Sequence, residues 1–167
     1  VLVASGFALL LGLGILTSII MMAGLQETVV RAQASQASAL EVRAAVRSLR
    51  ADYLESGDAL SRALLDPSHT DAIATKRAAD ANAEKHLASA EAATRRADLR
   101  SLLATLRQQD TRVTNRIEGK LLTLASVDNR KARTVYFTRY LGARALNVQM
   151  VEQALAMAHE EVAAAAH

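Results

Sequence analysis

The hydropathy of the chain changes at Leu25. Val1 to Leu25 carries no charged residue and includes Leu9, Leu10, Leu11, Leu13, Ile15, Leu16, Ile19 and Ile20. A helix of that length rises about 37 Å against a hydrocarbon core of roughly 30 Å, so the pattern predicts a transmembrane helix over 1–25. Beyond it, apolar residues recur at spacings that alternate between three and four, as helices packed side by side require. The first such stripe holds Val42, Val46, Leu49, Tyr53, Leu60 and Leu64, with a second, smaller-residue stripe of Val30, Ala37, Leu40, Ala44, Ala51 and Leu54 on the same helix. Two stripes on one helix imply two partners: a bundle core and a second subunit.

Two further stripes follow. Leu99, Leu103, Leu106, Val113, Ile117 and Leu124 share a face interrupted by Asp110 and Lys120. Phe137, Leu141, Val148, Val151, Leu155, Ala158 and Val162 form the last, broken by Arg144. Breaks are expected at three places. Asp66-Pro67-Ser68-His69-Thr70 holds the only proline, with Ser68 or Thr70 as the next N-cap. A turn near Thr94 to Asp98, with Asp98 as N-cap, brings the returning helix around before it meets the membrane again, and would set Thr94-Arg95-Arg96 near lipid headgroups. Ser126-Val127-Asp128-Asn129 supplies the last cap. The expected fold is therefore all-α: an up-down-up-down four-helix bundle over 26–167, with helices at about 26–65, 70–95, 98–126 and 129–167, and the membrane helix running without a break into helix 1.

Composition narrows the chemistry. Beyond Leu25 the 20 basic and 17 acidic residues interleave, which makes a mixed solvated surface. A net charge of +3 with 3% aromatic residues makes no basic stripe with stacking platforms, so nucleic acid is not an expected partner. No cysteine is present, which removes disulfides, thiolate metal sites and covalent haem attachment. Ala32-Gln33-Ala34 has the form of a signal-peptide cleavage site, but the apolar run before it is longer than the 7 to 15 residues such peptides use.

A di-iron centre in a helical bundle needs Glu-x-x-His pairs, and the residues three before His69, His86 and His159 are Asp66, Ala83 and Ala156. The histidines are read as surface residues, and no metal or cofactor is expected. There is no phosphate loop, nucleophile elbow or His-Glu-x-x-His run, so the chain is not expected to be an enzyme. Polar candidates remain on two helices. Arg43, Arg47 and Arg50 stand at i, i+4 and i+7, where their guanidinium groups line one face and suit a carboxylate or phosphate; the plainer reading pairs them with Glu41 and Asp52. Tyr136, Arg139, Tyr140, Arg144 and Asn147 gather two of the three tyrosines and two arginines within three turns of helix 4. The plainer reading there is rim packing, with Arg144 snorkelling past its neighbours although it occupies a stripe position.

Ala63-Leu64-Leu65-Asp66-Pro67 at the distal turn, Leu121-Leu122-Thr123-Leu124-Ala125-Ser126-Val127-Asp128 before helix 4, and a membrane helix passing into a bundle with long first and last helices resemble the periplasmic sensor domain of bacterial chemoreceptors and related transmembrane sensors. The resemblance covers 1–167. It implies a homodimer through helix 1 and a small-molecule ligand, in some members an anion such as an amino acid, held between helix 1 arginines and the start of helix 4. Arg43, Arg47, Arg50, Tyr136, Arg139, Tyr140 and Arg144 occupy roughly those positions. The implied location is the inner membrane with 26–167 in the periplasm, and the implied role is the input domain of a signalling receptor. The alternative is a helical spacer or membrane-anchored adaptor that binds a protein partner.

Overall fold

The computed structural model describes the backbone of residues 2–65 and 70–166, and the side chains of 21–22, 24–65 and 71–166. The chain is all-helical, with no strand among the described residues. Four helices pack as a bundle: α1 (Leu2–Leu65), α2 (Thr70–Ala93), α3 (97–125) and α4 (129–165). Each of the last two contains one π turn, Asp110–Thr114 in α3 and Tyr136–Tyr140 in α4. The connection expected to break at Asp66-Pro67 lies outside the described residues.

Most of the proposed membrane span also falls on side chains outside that set. Among the described residues no helix is long and apolar enough to cross a membrane. The backbone of α1 is nevertheless one helix from Leu2 to Leu65. Ser38 Oγ donates to the Ala93 carbonyl at 2.7 Å, and Ala39 is the first buried apolar residue among the described side chains of α1. Residues 26–37, about 18 Å of helix, are almost wholly exposed and run clear of that contact.

Side-chain contacts fix the register. Ser38 meets Ala93, Asp52 meets His86 and Ser56 meets Asp80, so α1 and α2 are antiparallel. Arg50 pairs with Glu152, Gly57 lies against Arg144, and Asn129 reaches the Leu64 carbonyl, so α1 and α4 are antiparallel too. The breaks between helices fall at 94–96 and 126–128, where turns were expected. Asp128 caps α4, its carboxylate accepting from the Lys131 amide at 3.1 Å. Asp98 is not the cap of α3. It lies inside the first turn, takes the Leu99 amide at 2.8 Å, and pairs with Arg96, which holds the extended residue before the helix. Arg96 also reaches Glu160 and the Met157 carbonyl, while Glu161 accepts from Thr94 Oγ1 and the Arg95 amide. The 94–96 turn is thereby latched to the end of α4, leaving only Arg95 of its two arginines fully exposed.

The core is in two parts. The larger one packs Val42, Val46, Leu49 and Tyr53 of α1 on Leu87, Leu99, Leu103, Leu106 and Val151. The smaller one, at the far end, holds Leu60, Leu64, Leu121, Ala132 and Tyr140. The first stripe of α1 is buried throughout, as its spacing predicts, and its second stripe is exposed: Val30, Leu40 and Leu54 are all open to solvent.

The stripes of α3 and α4 need correction. In α3 the apolar face runs through Leu99, Leu103 and Leu106, but Val113 is exposed and Ile117 only partly covered. Thr114, Glu118 and Leu121 are buried in their place. The reason is the π turn at 110–114, whose wider i→i+5 bonding inserts one residue and moves every later position of the face along by one. Lys120, expected to interrupt the face, is turned outward. In α4 the buried positions are Ala132, Tyr140, Arg144, Asn147, Met150, Val151, Ala154 and Ala158, so Arg144 belongs to the core face. Phe137, expected inside, is 67% exposed.

Candidate functional site

Between the two apolar cores lies a layer of polar side chains supplied by all four helices. Ser56 of α1, Lys76 of α2, Thr114 and Glu118 of α3, and Arg144 and Asn147 of α4 are each buried. Removal of charges from water is unfavourable unless they are paired, so the layer is organised around ion pairs and hydrogen bonds. Lys76 Nζ sits between Asp80 Oδ2 at 2.6 Å and Glu118 Oε2 at 2.5 Å. Ser56 Oγ donates to the other Asp80 oxygen at 2.5 Å. Asn147 Nδ2 donates to Asp110 Oδ1 at 2.7 Å and to Thr114 Oγ1 at 3.1 Å. The Arg144 guanidinium lies 4.7 Å from the Tyr53 ring centroid, within cation–π range. It passes so near Gly57 that a Cβ there would stand 3.3 Å from Arg144 Nε.

The electrostatics of the layer follow from this crowding. Burial, with the Glu118 and Asp80 carboxylates adding to it, pushes the Asp110 carboxyl up to about 6 against the opposing pull of Arg144 and Lys76. Burial also raises the Tyr53 hydroxyl, with Asp110 adding to the effect, and the Tyr140 hydroxyl, with Glu118 adding. For Lys76, burial favours the neutral amine, but Glu118 and Asp80 outweigh it and the pKa rises. Several atoms stay unmatched: Glu118 Oε1, Tyr140 Oη, Arg144 Nη2 and Asn147 Oδ1 are buried with no hydrogen-bond partner. A cavity of about 420 Å3 opens beside the layer, lined by Tyr53, Ser56, Lys76, Asp80, Asp110 and Glu118 among others.

The seven residues singled out in the sequence divide between this layer and the surface. Arg144 and Tyr140 are buried. Tyr136 is half-buried and stacks toward Tyr140, ring centroids 5.3 Å apart, and Arg139 is exposed. Arg43 and Arg47 are exposed on α1, and Arg50, also exposed, pairs with Glu152. Tyr140 packs in the core with Leu60, seventeen residues beyond Arg43 and ten beyond Arg50, so within one chain the three arginines stand about 15 to 25 Å from it along the bundle. The chain does not gather them into one site. Arg144 does not snorkel; it is folded inward over Tyr53. His86, read as a surface residue, is half-buried with Nδ1 2.6 Å from Asp52 Oδ2.

Asn147, grouped in the sequence with the helix 4 cluster, is buried in the layer, whereas Ser56, Lys76, Thr114 and Glu118 escaped the sequence reading. The interruptions at Asp110 and Arg144 were the available signal, since two charged residues in otherwise apolar stripes mark one level of the bundle. Among the described residues no group of three or more His, Cys, Asp or Glu is placed to hold a metal ion. The class defined by this geometry is a four-helix bundle with an ionic layer between two apolar cores. Comparison with known proteins adds no particular relative: no family model, curated protein or solved structure matches the chain.

Proposed function

We propose that the chain is the input domain of a bacterial transmembrane signalling receptor of the chemoreceptor kind. In this reading Val1–Leu25 crosses the inner membrane and 26–167 stands in the periplasm. The helices run up-down-up-down, and two copies pair through α1. The observation that carries the reading is the single helix from Leu2 to Leu65. A helix without a break transmits displacement along its axis, so a change in the bundle would be felt at the apolar segment. The exposed stripe of Val30, Leu40 and Leu54 supports pairing, since apolar residues at helical spacing on a solvent face are the surface that a second helix covers.

The switching element in this proposal is the polar layer. Packed interfaces respond as alternative arrangements and not continuously, and a layer with several unmatched buried groups is where a second arrangement lies closest in energy. The adaptor reading is favoured by one observation, the exposed Phe137 and Leu141 on α4, which would suit a protein partner.

Disulfide cross-linking in membrane vesicles tests the receptor reading. Leu40→Cys and Leu54→Cys should each form a subunit-to-subunit disulfide, while Arg116→Cys on exposed α3 should not. Release of the chain from vesicles by alkaline carbonate, or equal cross-linking at all three positions, overturns it.

A further inference from the structure

Charge is not spread evenly over the bundle. Between Asp98 and Glu152 the chain carries ten Lys and Arg against three carboxylates, whereas the remainder carries ten against fourteen. None of the three carboxylates is exposed: Asp110 is held by Asn147, Glu118 by Lys76, and Asp128 by the amine and amide of Lys131. The cations are the opposite case. Arg112, Arg116 and Lys120 stand exposed at i, i+4 and i+8 on α3, and Arg130 and Arg133 stand exposed at i and i+3 on α4, none with a carboxylate partner among the described residues. Like charges one turn apart on a helix repel, so both rows cost stability that no neighbouring carboxylate offsets. A second observation falls on the same part of α4. A shallow cleft of about 640 Å3 on its outer side is lined by Arg130, Arg133 and Phe137, with Asn129, Thr134 and Thr138. Phe137 and, one turn further on, Leu141 are exposed. Arg130, Arg133, Phe137 and Leu141 thus follow one another at spacings of three and four along one solvent-facing side of the helix, cations toward the 126–128 turn and apolar residues away from it.

We propose that this face of α4 docks an acidic amphipathic helix of a protein partner, its carboxylates on Arg130 and Arg133 and its apolar side chains on Phe137 and Leu141. Carboxylates supply the charge that this stretch of the chain lacks, and a helix repeats its side chains at the spacing α4 presents. Arginine and aromatic residues are the types that protein interfaces concentrate at their centres. The row on α3 lies beside the contact and steers an acidic segment toward it. A lipid surface fits less well, because interfacial insertion needs a broad apolar face and here exposed Thr134 and Thr138 flank Phe137. The phosphates of a nucleic acid would leave Phe137 and Leu141 uncovered. This face names the partner class for the adaptor reading, yet it needs neither that reading nor the receptor one, so the α1 cross-linking result and this one stand apart.

Fluorescence anisotropy tests it, with a labelled peptide of Glu and Leu at amphipathic helical spacing titrated by the full chain in nonionic micelles and corrected for empty micelles. Saturable binding is expected, weakened about tenfold or more between about 50 mM and 500 mM salt. Arg130→Glu/Arg133→Glu and Phe137→Ala should each lose about tenfold. Lys85→Glu/Arg95→Glu, the same change of charge at exposed positions elsewhere, should bind within about twofold of the parent. Polyglutamate, which has no apolar side chain, should bind less tightly and be indifferent to Phe137→Ala. All the substituted positions are exposed, far-UV circular dichroism checks that each variant is folded, and if the Arg130→Glu/Arg133→Glu chain is not, Phe137→Ala alone decides. Absence of saturation, equal affinity in the parent and the folded Arg130→Glu/Arg133→Glu chain, or an equal loss in Lys85→Glu/Arg95→Glu overturns the proposal. So does an affinity that Phe137→Ala leaves unchanged, because the face is then a polyanion surface only. Displacement of the peptide by phosphatidylglycerol added to the micelles assigns the face to lipid, and self-association of the parent that Arg130→Glu/Arg133→Glu abolishes assigns it to a second copy; either result overturns it too.

Discussion

Asp110 is where the chain stores a conflict between charge and burial. Its carboxyl is pushed up to about 6 in the fold from an ordinary value of 3.8. A raised carboxyl pKa means that the folded state binds the proton more tightly than the unfolded one. Its stabilising effect is therefore complete below about pH 4 and lost as pH rises through 6, a difference on the order of 3 kcal/mol. Asp110→Asn keeps an acceptor for Asn147 and removes the charge. Denaturant melts should find the variant more stable than the parent at about pH 8 and indistinguishable at about pH 4. Lys76 is the opposite case. Lys76→Ala leaves Glu118 buried without its cation and should lower stability by about 3 to 5 kcal/mol, whereas the paired change with Glu118→Leu should restore much of that loss. Asp110 and Arg144 could be noticed in the sequence because each interrupts an apolar stripe. Lys76 and Glu118 could not, because a charged residue on an Ala-rich helix looks solvated until the face it occupies is known.

At the scale of the element, what hid Glu118 was the π turn. Alternating three–four spacing extrapolates a straight helix, and over Leu99 to Leu106 the extrapolation holds. One inserted residue at Asp110–Thr114 then replaces Val113 and Ile117 by Thr114 and Glu118 on the inner face. No propensity signals such an insertion: its first and last residues, Asp110 and Thr114, keep ordinary right-handed dihedrals, with φ of −61° and −64°. The first α1 stripe, which contains no π turn, was legible in full as a buried face. Deletion of exposed Arg112 should remove the extra residue while leaving both halves of α3 in their present register. The deletion variant should retain its helical circular dichroism and melt within about 5 °C of the parent. Deletion of Leu103, in a regular stretch, should instead rotate the following turns out of the core and lower the melting temperature by far more. Two helix boundaries were legible for other reasons: Asp128 is a local cap that does not depend on which face is inward, and the break at 94–96 followed from the length of helix a compact bundle allows, although its cap was misplaced at Asp98.

For the whole molecule, the exposed stripe on α1 separates folding from assembly. Leu40→Asp and Leu54→Asp place charge on residues about half exposed in the single chain. If α1 pairs two copies, sedimentation should find the double variant monomeric while its melting curve at low concentration matches that of the parent. The ionic layer has another consequence for the molecule as a whole. Apolar contact is what makes neighbouring turns open together, and here that contact is divided between a large core around Leu49 and Leu103 and a small one around Leu60 and Leu121. Amide hydrogen exchange should therefore resolve two cooperative units, with the amides of 117–140 exchanging through a local opening that those of 83–106 do not share. The far tip can then come apart and reclose many times while the end joined to the projecting part of α1 stays intact.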